Sequence, residues 1–528
     1  MQQMSTPRLT FTSGPATITC DASGAVASVS HASHPGLSYL RGVLVDGLVL
    51  DGERLGPVEP EVLADVDEVE FVYTYPDRLR VVVRHTFAVG WGVRIAFSSL
   101  ATSSQSVEAE LRLAPSAECV AWALTLGATG AYSVSPSSGT GPLLGAQLRR
   151  GSMDEATPTG WQLTPFDLRP QGRYVVQLLW DFYAAPRAFD HEPYADAPSA
   201  LVVAVGEPIQ VRVDEDVAVV VPDGLELTEA ADHLEVLSDA PGEFPFELRS
   251  SRGTTAFSLQ WVDTVPALLA GSVAAALSRP RTAAGVVKLD GVAAALLVQH
   301  ALRLNQVDDP DVAAEALDLF TARLGGGDDV DPLGAVFLAR EFDRLGDPEL
   351  LDVATSAVLA QHAPVPGLGL AATQLCLGLI VSNRPVDRVL GHLSEAVADP
   401  SHDLAHPGAG VASRAAALEL IAVTHAGPGA GGSIEGISDV VPLIAGLGLH
   451  LGAGLKGRAV QPLPVAELSH LLTVFQLLPD GLSSRLVRLW GCSAHVLAHR
   501  AVAELVARLE HEPVGEAHAW LALALQAE

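Results

Sequence analysis

From residue 8 to about residue 262 the chain alternates apolar and polar positions in short runs separated by turn residues. Leu9-Thr10-Phe11-Thr12 and Ala16-Thr17-Ile18-Thr19-Cys20 have period two and are split by Ser13-Gly14-Pro15, which predicts two strands and a turn. The clearest set runs from Val69 to Ser99. There, 70–75, 79–87 and 92–97 are separated by Pro76-Asp77 and by Gly90, the pattern of an antiparallel meander. Further strands are expected at 106–113, 117–125, 172–182, 199–205, 208–213, 217–221 and 254–262. Two segments rich in Ser, Gly, Pro and Asp, 133–160 and 184–198, read as loops.

Near residue 263 the period changes from two to that of a helix. Apolar stripes occupy 264–278, 284–304, 311–324, 333–345, 349–362, 368–382, 386–398, 409–425, 437–452, 464–478, 482–509 and 515–526. Asp309-Pro310, Asp331-Pro332 and Asp347-Pro348 each place an N-cap carboxylate before a first-turn proline. Gly325, Gly346 and Gly427 stand where chains leave helices. The pattern predicts a multidomain α+β chain. An antiparallel β-sandwich over 1–262 is followed by an all-α half over 263–528, built of helical hairpins as a closed toroid or an open solenoid.

Composition sharpens the break. All seven tyrosines precede residue 262, and the helical half holds only Trp490 and Trp520 with Phe320, Phe337, Phe342 and Phe475. The formal net charge is −30, divided almost evenly between the halves. An acidic surface on both repels phosphate backbones and anionic lipid, so neither nucleic acid nor membrane is an expected partner. Lys288 and Lys456 are the sole lysines, and neither follows a glycine-rich phosphate loop. Cys20, Cys119, Cys376 and Cys492 are dispersed, without metal-ribbon spacing, as expected in a reducing compartment. With no apolar run long enough for a span, the expectation is a cytoplasmic protein that needs no cofactor and that could form a homo-oligomer.

Three stretches resemble parts of known carbohydrate-active enzymes. These are Arg84-His85-Thr86-Phe87 with Trp91-Gly92-Val93-Arg94, Leu163-Thr164-Pro165-Phe166-Asp167-Leu168-Arg169-Pro170, and Arg344-Leu345-Gly346-Asp347-Pro348-Glu349-Leu350-Leu351. With a sandwich leading into about a dozen helices, they resemble the glucoamylase-like and disaccharide-phosphorylase families. The resemblance implies a supersandwich, an (α/α)6 barrel and action on a glycan. It transfers no acid or base, and the helical half lacks the tyrosines with which such barrels stack on sugars.

The densest chemistry is Trp180-Asp181-Phe182-Tyr183 with Asp190-His191-Glu192-Pro193-Tyr194, which offers acids, an imidazole and aromatic faces close together. Glycosidic hydrolysis needs two carboxylates across the scissile bond. The expected function is therefore a glycoside hydrolase with Asp190, Glu192 and Glu341 as catalytic carboxylates. Trp180, Asp181, Tyr183, His191 and Tyr194 would bind an oligosaccharide or small-molecule ligand where the sandwich loop meets the helices. The alternative is a noncatalytic carbohydrate-binding or scaffold protein. Glu341 and Asp343, flanked by Arg340 and Arg344, also fit a solvated ion-pair face. His402 with His406, and His495 with His499 near Cys492, have the i, i+4 spacing of metal-binding imidazoles, but each fits packing better, and no metal is expected.

Overall fold

Period-two alternation becomes two large antiparallel sheets in the computed structural model. The structure describes residues 8–190, 197–213, 217–230, 233–250, 253–326, 330–398, 409–426, 440–453 and 457–524. The chain divides into a sheet unit, Met1–Trp261 with Gly452–Pro462, and a helical unit, Val262–Leu451 with Leu463–Glu528.

In the sheet unit, the first large sheet orders Arg8–Ser13, Ala16–Asp21, Ala25–His31, Leu40–Leu50, Gln105–Pro115, Gly160–Leu163 and Met153–Thr157. The second runs from Cys119–Leu126 through Thr129–Pro136, Leu143–Arg150, Arg173–Tyr183, Trp91–Ser99, Leu79–Thr86 and Glu68–Tyr75 to Glu61–Ala64. The predicted meander lies here, with Val72 opposite Val82 and Val83 opposite Ile95. Ile18, Leu48, Leu111 and Trp161 from one sheet share a core with Phe71, Val83, Ile95 and Trp180 from the other. Each fully buried large side chain of this kind contributes roughly 1.5–3 kcal/mol. A smaller pair of sheets buries Ile209, Val236, Phe246, Leu259 and Trp261.

The loop expected at 133–160 is instead sheet. Thr129–Pro136 is buried at every position, and Leu143–Arg150 is buried over its first six residues. A strand covered on both faces has no reason to alternate, and small Ser133, Ser135 and Gly145 let neighbours close over it. The other expected loop contains the short helix α1, Pro186–Asp190, whose Phe189 is buried.

One strand comes from far along the chain. Arg458–Ala459 pairs with Trp122–Ala123 on the edge of the second sheet, and Val460 joins the large core. Gly457 makes the approach possible. Its φ is +95°, and a Cβ there would stand 2.0 Å from the Ala123 carbonyl oxygen.

The helical unit contains α2 (Val265–Leu277), α3 (Val292–Arg303), α4 (Pro310–Gly325), α5 (Pro332–Leu345), α6 (Pro348–Leu359), α7 (Leu368–Val381) and α8 (Asp387–Ala398). It continues with α9 (Val411–Ala426), α10 (Val440–Gly448), α11 (Val465–Gln476), α12 (Asp480–Ser483), α13 (Val487–Trp490), α14 (Ala494–Leu509) and α15 (Glu516–Ala524). The three predicted aspartate caps are present: Asp309, Asp331 and Asp347 accept from Val312 N, Gly334 N and Glu349 N. Gly346 ends α5 in the left-handed conformation at φ 69°. The stripe expected over 482–509 breaks at Gly491, also left-handed, where α13 stops and Ser493 caps α14.

Helix packing decides between toroid and solenoid. In the order α3, α5, α7, α9, α11, α15, each helix packs on the next, and α15 returns to α3. The helices α2, α4, α6, α8, α10 and α14 pack outside that ring. The unit is a closed double ring of helical hairpins.

Candidate active site

Of the sequence-predicted residues, the structure describes the side chains of Trp180, Asp181, Tyr183 and Glu341. Trp180 is not a sugar platform. It is fully buried, stacked between Trp91 and Trp161 at centroid distances of 5.2 and 5.6 Å, so neither ring face is open. Asp181 is exposed at a strand end and accepts from the Phe182 amide at 2.8 Å. Tyr183 is half-buried against Phe189. His191, Glu192 and Tyr194 lie outside the described residues, as does the side chain of Asp190. At this end of the sheets, Phe182 meets Tyr39 and His31 edge-on, and Ser33 Oγ bridges the Nδ1 atoms of His31 and His34 at 2.7 and 2.8 Å.

Glu341 is not on a solvated face. It is fully buried on α5 and accepts from Gln299 Nε2 at 2.6 Å and from Arg344 Nε at 2.8 Å. Thr321 Oγ1 approaches the same carboxylate at 3.5 Å. A carboxylate held by α3, α4 and its own α5 ties these helices together and is engaged in internal hydrogen bonds.

Glu341 is one of a set. The buried polar residues of the ring helices include Gln299 and His300 on α3, Arg340 and Glu341 on α5, and Arg414 and Glu419 on α9. Ser469, His470 and Thr473 follow on α11, and His518 on α15. The set was not legible in the sequence as a set, because its pairs on different helices are separated by tens of residues and meet only through the packing of the helices.

Glu419 lies at the amino end of α7, where unpaired amides and the helix dipole favour an anion. It accepts from Gly367 N at 3.0 Å and Leu370 N at 2.6 Å, and it faces His470 Nε2 at 3.1 Å. With its Nε2 proton donated to the carboxylate, His470 leaves Nδ1 buried and without a hydrogen-bond partner. The Trp520 ring covers the imidazole at 4.7 Å.

About 7.5 Å nearer the start of α9, given the 1.5 Å rise per residue, stands Arg414, only 2% exposed. Its Nε has no hydrogen-bond partner, and no carboxylate pairs with it among the described residues. Burial lowers its pKa. Beside it, in the 3-10 turn that follows α10, is His450, held to a pKa of about 4 by burial and then by the Arg414 charge. An uncompensated guanidinium next to a neutral imidazole is a receptor for an anion with a base at hand. His300 is a second neutral imidazole, also near 4, through burial and then the charges of Arg340 and Arg303. No three metal-type ligands converge among the described residues, and no helix there is long and apolar enough to cross a membrane.

No family model and no curated protein matches the chain. Among solved structures, a polysaccharide lyase superimposes with a TM-score of 0.71 at 12% sequence identity, over 96% of this chain and 93% of that one. A protein of Escherichia coli whose name refers to aldose 1-epimerase aligns over 34% of this chain, with a TM-score of 0.24 and 7% identity. The first likeness spans both units, and what it shows is a shared fold.

Proposed function

We propose that the chain is a carbohydrate-active enzyme that cleaves an acidic glycan by β-elimination, with Arg414 as the group that binds the substrate carboxylate and His450 as the base. The observation that carries this is the Arg414–His450 pair: a buried cation with no carboxylate partner among the described residues, whose charge acts on an imidazole that burial keeps neutral. Elimination beside a uronate needs both. The cation holds the carboxylate and takes up charge as the adjacent carbon loses its proton to the imidazole. The electron pair then forms the C=C bond, the C–O bond to the leaving sugar breaks, and that oxygen takes up a proton from water while the imidazolium returns its own to solvent.

The pair is also self-adjusting. Burial is the larger cause of the lowered His450 pKa, and a substrate carboxylate on Arg414 would relieve only the smaller one, the guanidinium charge, making the imidazole a somewhat stronger base when substrate is bound. The fold shared with a polysaccharide lyase agrees with elimination. Hydrolysis is less well supported, because Glu341 and Glu419 are both committed to internal hydrogen bonds.

The purified protein, incubated with a panel of acidic and neutral glycans, tests this. Elimination yields an unsaturated, ultraviolet-absorbing end, whereas hydrolysis yields new reducing ends without it. Arg414→Ala and His450→Ala are each expected to lower kcat/KM about a hundredfold or more, with Asp190→Ala and Glu192→Ala close to wild type. Reducing ends without absorbance, abolished by Asp190→Ala or Glu192→Ala, would restore the hydrolase assignment. Binding without any product would favour the noncatalytic one.

A further inference from the structure

We propose that the amino end of α9 is a binding site for a small tetrahedral oxyanion of the phosphate class, held by the Arg414 guanidinium and the backbone amides of Val411, Ala412 and Ser413. Arg414 N donates to Gly410 O at 3.1 Å, so Gly410 is the cap and Val411 opens the first turn. The amides of Val411, Ala412 and Ser413 then have no acceptor inside the helix, and a glycine cap has no side chain to supply one. Neighbouring N–H groups and the positive end of the dipole of a 16-residue helix favour an anion at this point.

A helix start alone is ordinarily met by water, and Arg414 is what changes the picture. It is the fourth residue of α9, buried, with its Nε lacking a hydrogen-bond partner and no carboxylate paired with it among the described residues. Helical side chains lean toward the amino end, so the side chain of a fourth residue lies over the first turn, beside the free amides. A buried guanidinium is costly unless an anion accompanies it, and the neighbouring His450 brings no negative charge. The planar guanidinium donates two parallel hydrogen bonds to two oxygens of one oxyanion, which leaves a further oxygen for the amides. Chloride offers no such pair of acceptors. The inference deepens the function proposed above, since it rests on Arg414 as the anion receptor and makes phosphate an occupant that a substrate carboxylate has to displace. It does not require elimination.

The full-length protein is melted in sodium phosphate and in sodium chloride at matched pH and ionic strength, and phosphate is titrated into it by calorimetry. The expected result is one phosphate per chain and a Tm that climbs with the logarithm of phosphate concentration above the chloride control. Arg414→Met should abolish both effects and, with the unpaired buried charge gone, melt in chloride no lower than wild type. Val411→Pro keeps the guanidinium and removes one amide at the helix position where proline is best tolerated. It should weaken phosphate binding about tenfold or more. Should Arg414→Met fail to fold, Val411→Pro decides alone. Equal melting in phosphate and chloride overturns the proposal, and so does phosphate binding that survives Arg414→Met, which would be an adventitious ion only. Affinity unchanged in Val411→Pro overturns the part given to the amides. Phosphate binding by a protein that cleaves no glycan leaves this site standing and removes the elimination. Cleavage that phosphate does not inhibit competitively removes this site and leaves the elimination.

Discussion

Side chains buried with their charge or their lone pair intact set what single substitutions do here. Glu341 is the sharpest case, because Gln299, Arg344 and Thr321 all direct polar atoms at it in a dry environment. Replacing it by alanine takes an acceptor from Arg344, which keeps Asp318, and from Gln299, which keeps the Phe337 carbonyl. Glu341→Ala is expected to destabilise the chain by about 1–3 kcal/mol, read from denaturant unfolding. The conservative Glu341→Gln should lose less, since it keeps an acceptor for Gln299. His85 makes a corresponding statement about pH. It is completely buried in the sheet unit, accepts from Trp91 Nε1 at 3.0 Å, and burial lowers its pKa from 6.5 to about 4. Above pH 6.5 neither folded nor unfolded chain protonates it, and nothing is lost. Between 6.5 and 4 only the unfolded chain takes the proton, so stability falls as pH falls. The loss levels out below about 4, at about 3 kcal/mol from this residue. His85→Gln keeps an acceptor for Trp91 but does not titrate, and should flatten the stability–pH slope across that window.

At the level of elements, the outcome depends on whether local sequence or a distant partner decides the structure. Aspartate caps are local: Asp331 binds Gly334 N at 2.6 Å because cap, proline and helix are adjacent in the chain. Asp331→Ala should cost about 1 kcal/mol. Helices and the meander were legible for the same reason, as each carries its own period and its own turns. The strands within 133–160 were not, because Thr129–Pro136 is covered on both faces and a serine-rich central strand looks like a loop until its neighbours are known. Arg458–Ala459 was invisible as well: two residues have no period, and the pairing rests on Gly457 passing against the Ala123 carbonyl. Gly457→Val forces a side chain into that carbonyl at positive φ. It is expected to detach the strand and make the bond after Arg458 sensitive to trypsin, with Thr129–Pro136 and its neighbours still folded. Of the site, Trp180 was legible as an aromatic but is core and not a platform, since a run of aromatics marks a core as readily as a binding face. Arg414 and His450 left no trace, being 36 positions apart in the numbering and joined only by the packing of α9 and α10.

For the molecule as a whole, the closed ring and the charge act together. Closure sets six inner helices side by side in a ring, and the arginines and histidines they bury are held among packed neighbours. Outside that ring the surface is acidic in both halves, so a polyanionic glycan approaches against repulsion, and the one cation proposed to receive it, Arg414, is buried. Screening acts on these two opposing effects unequally. Raising ionic strength from about 0.01 to 0.15 M shortens the Debye length from about 30 to 8 Å, which weakens the long-range repulsion but barely reaches a buried contact. The elimination rate constant kcat/KM on an acidic glycan should therefore rise with salt over that range while kcat stays nearly constant, the reverse of enzymes that draw polyanions in with a basic groove. Steady-state rates at matched pH and varied sodium chloride measure it. A fall in kcat/KM with salt would mean that substrate first meets exposed cations, and it would move the binding group away from Arg414 to the arginines of the surface.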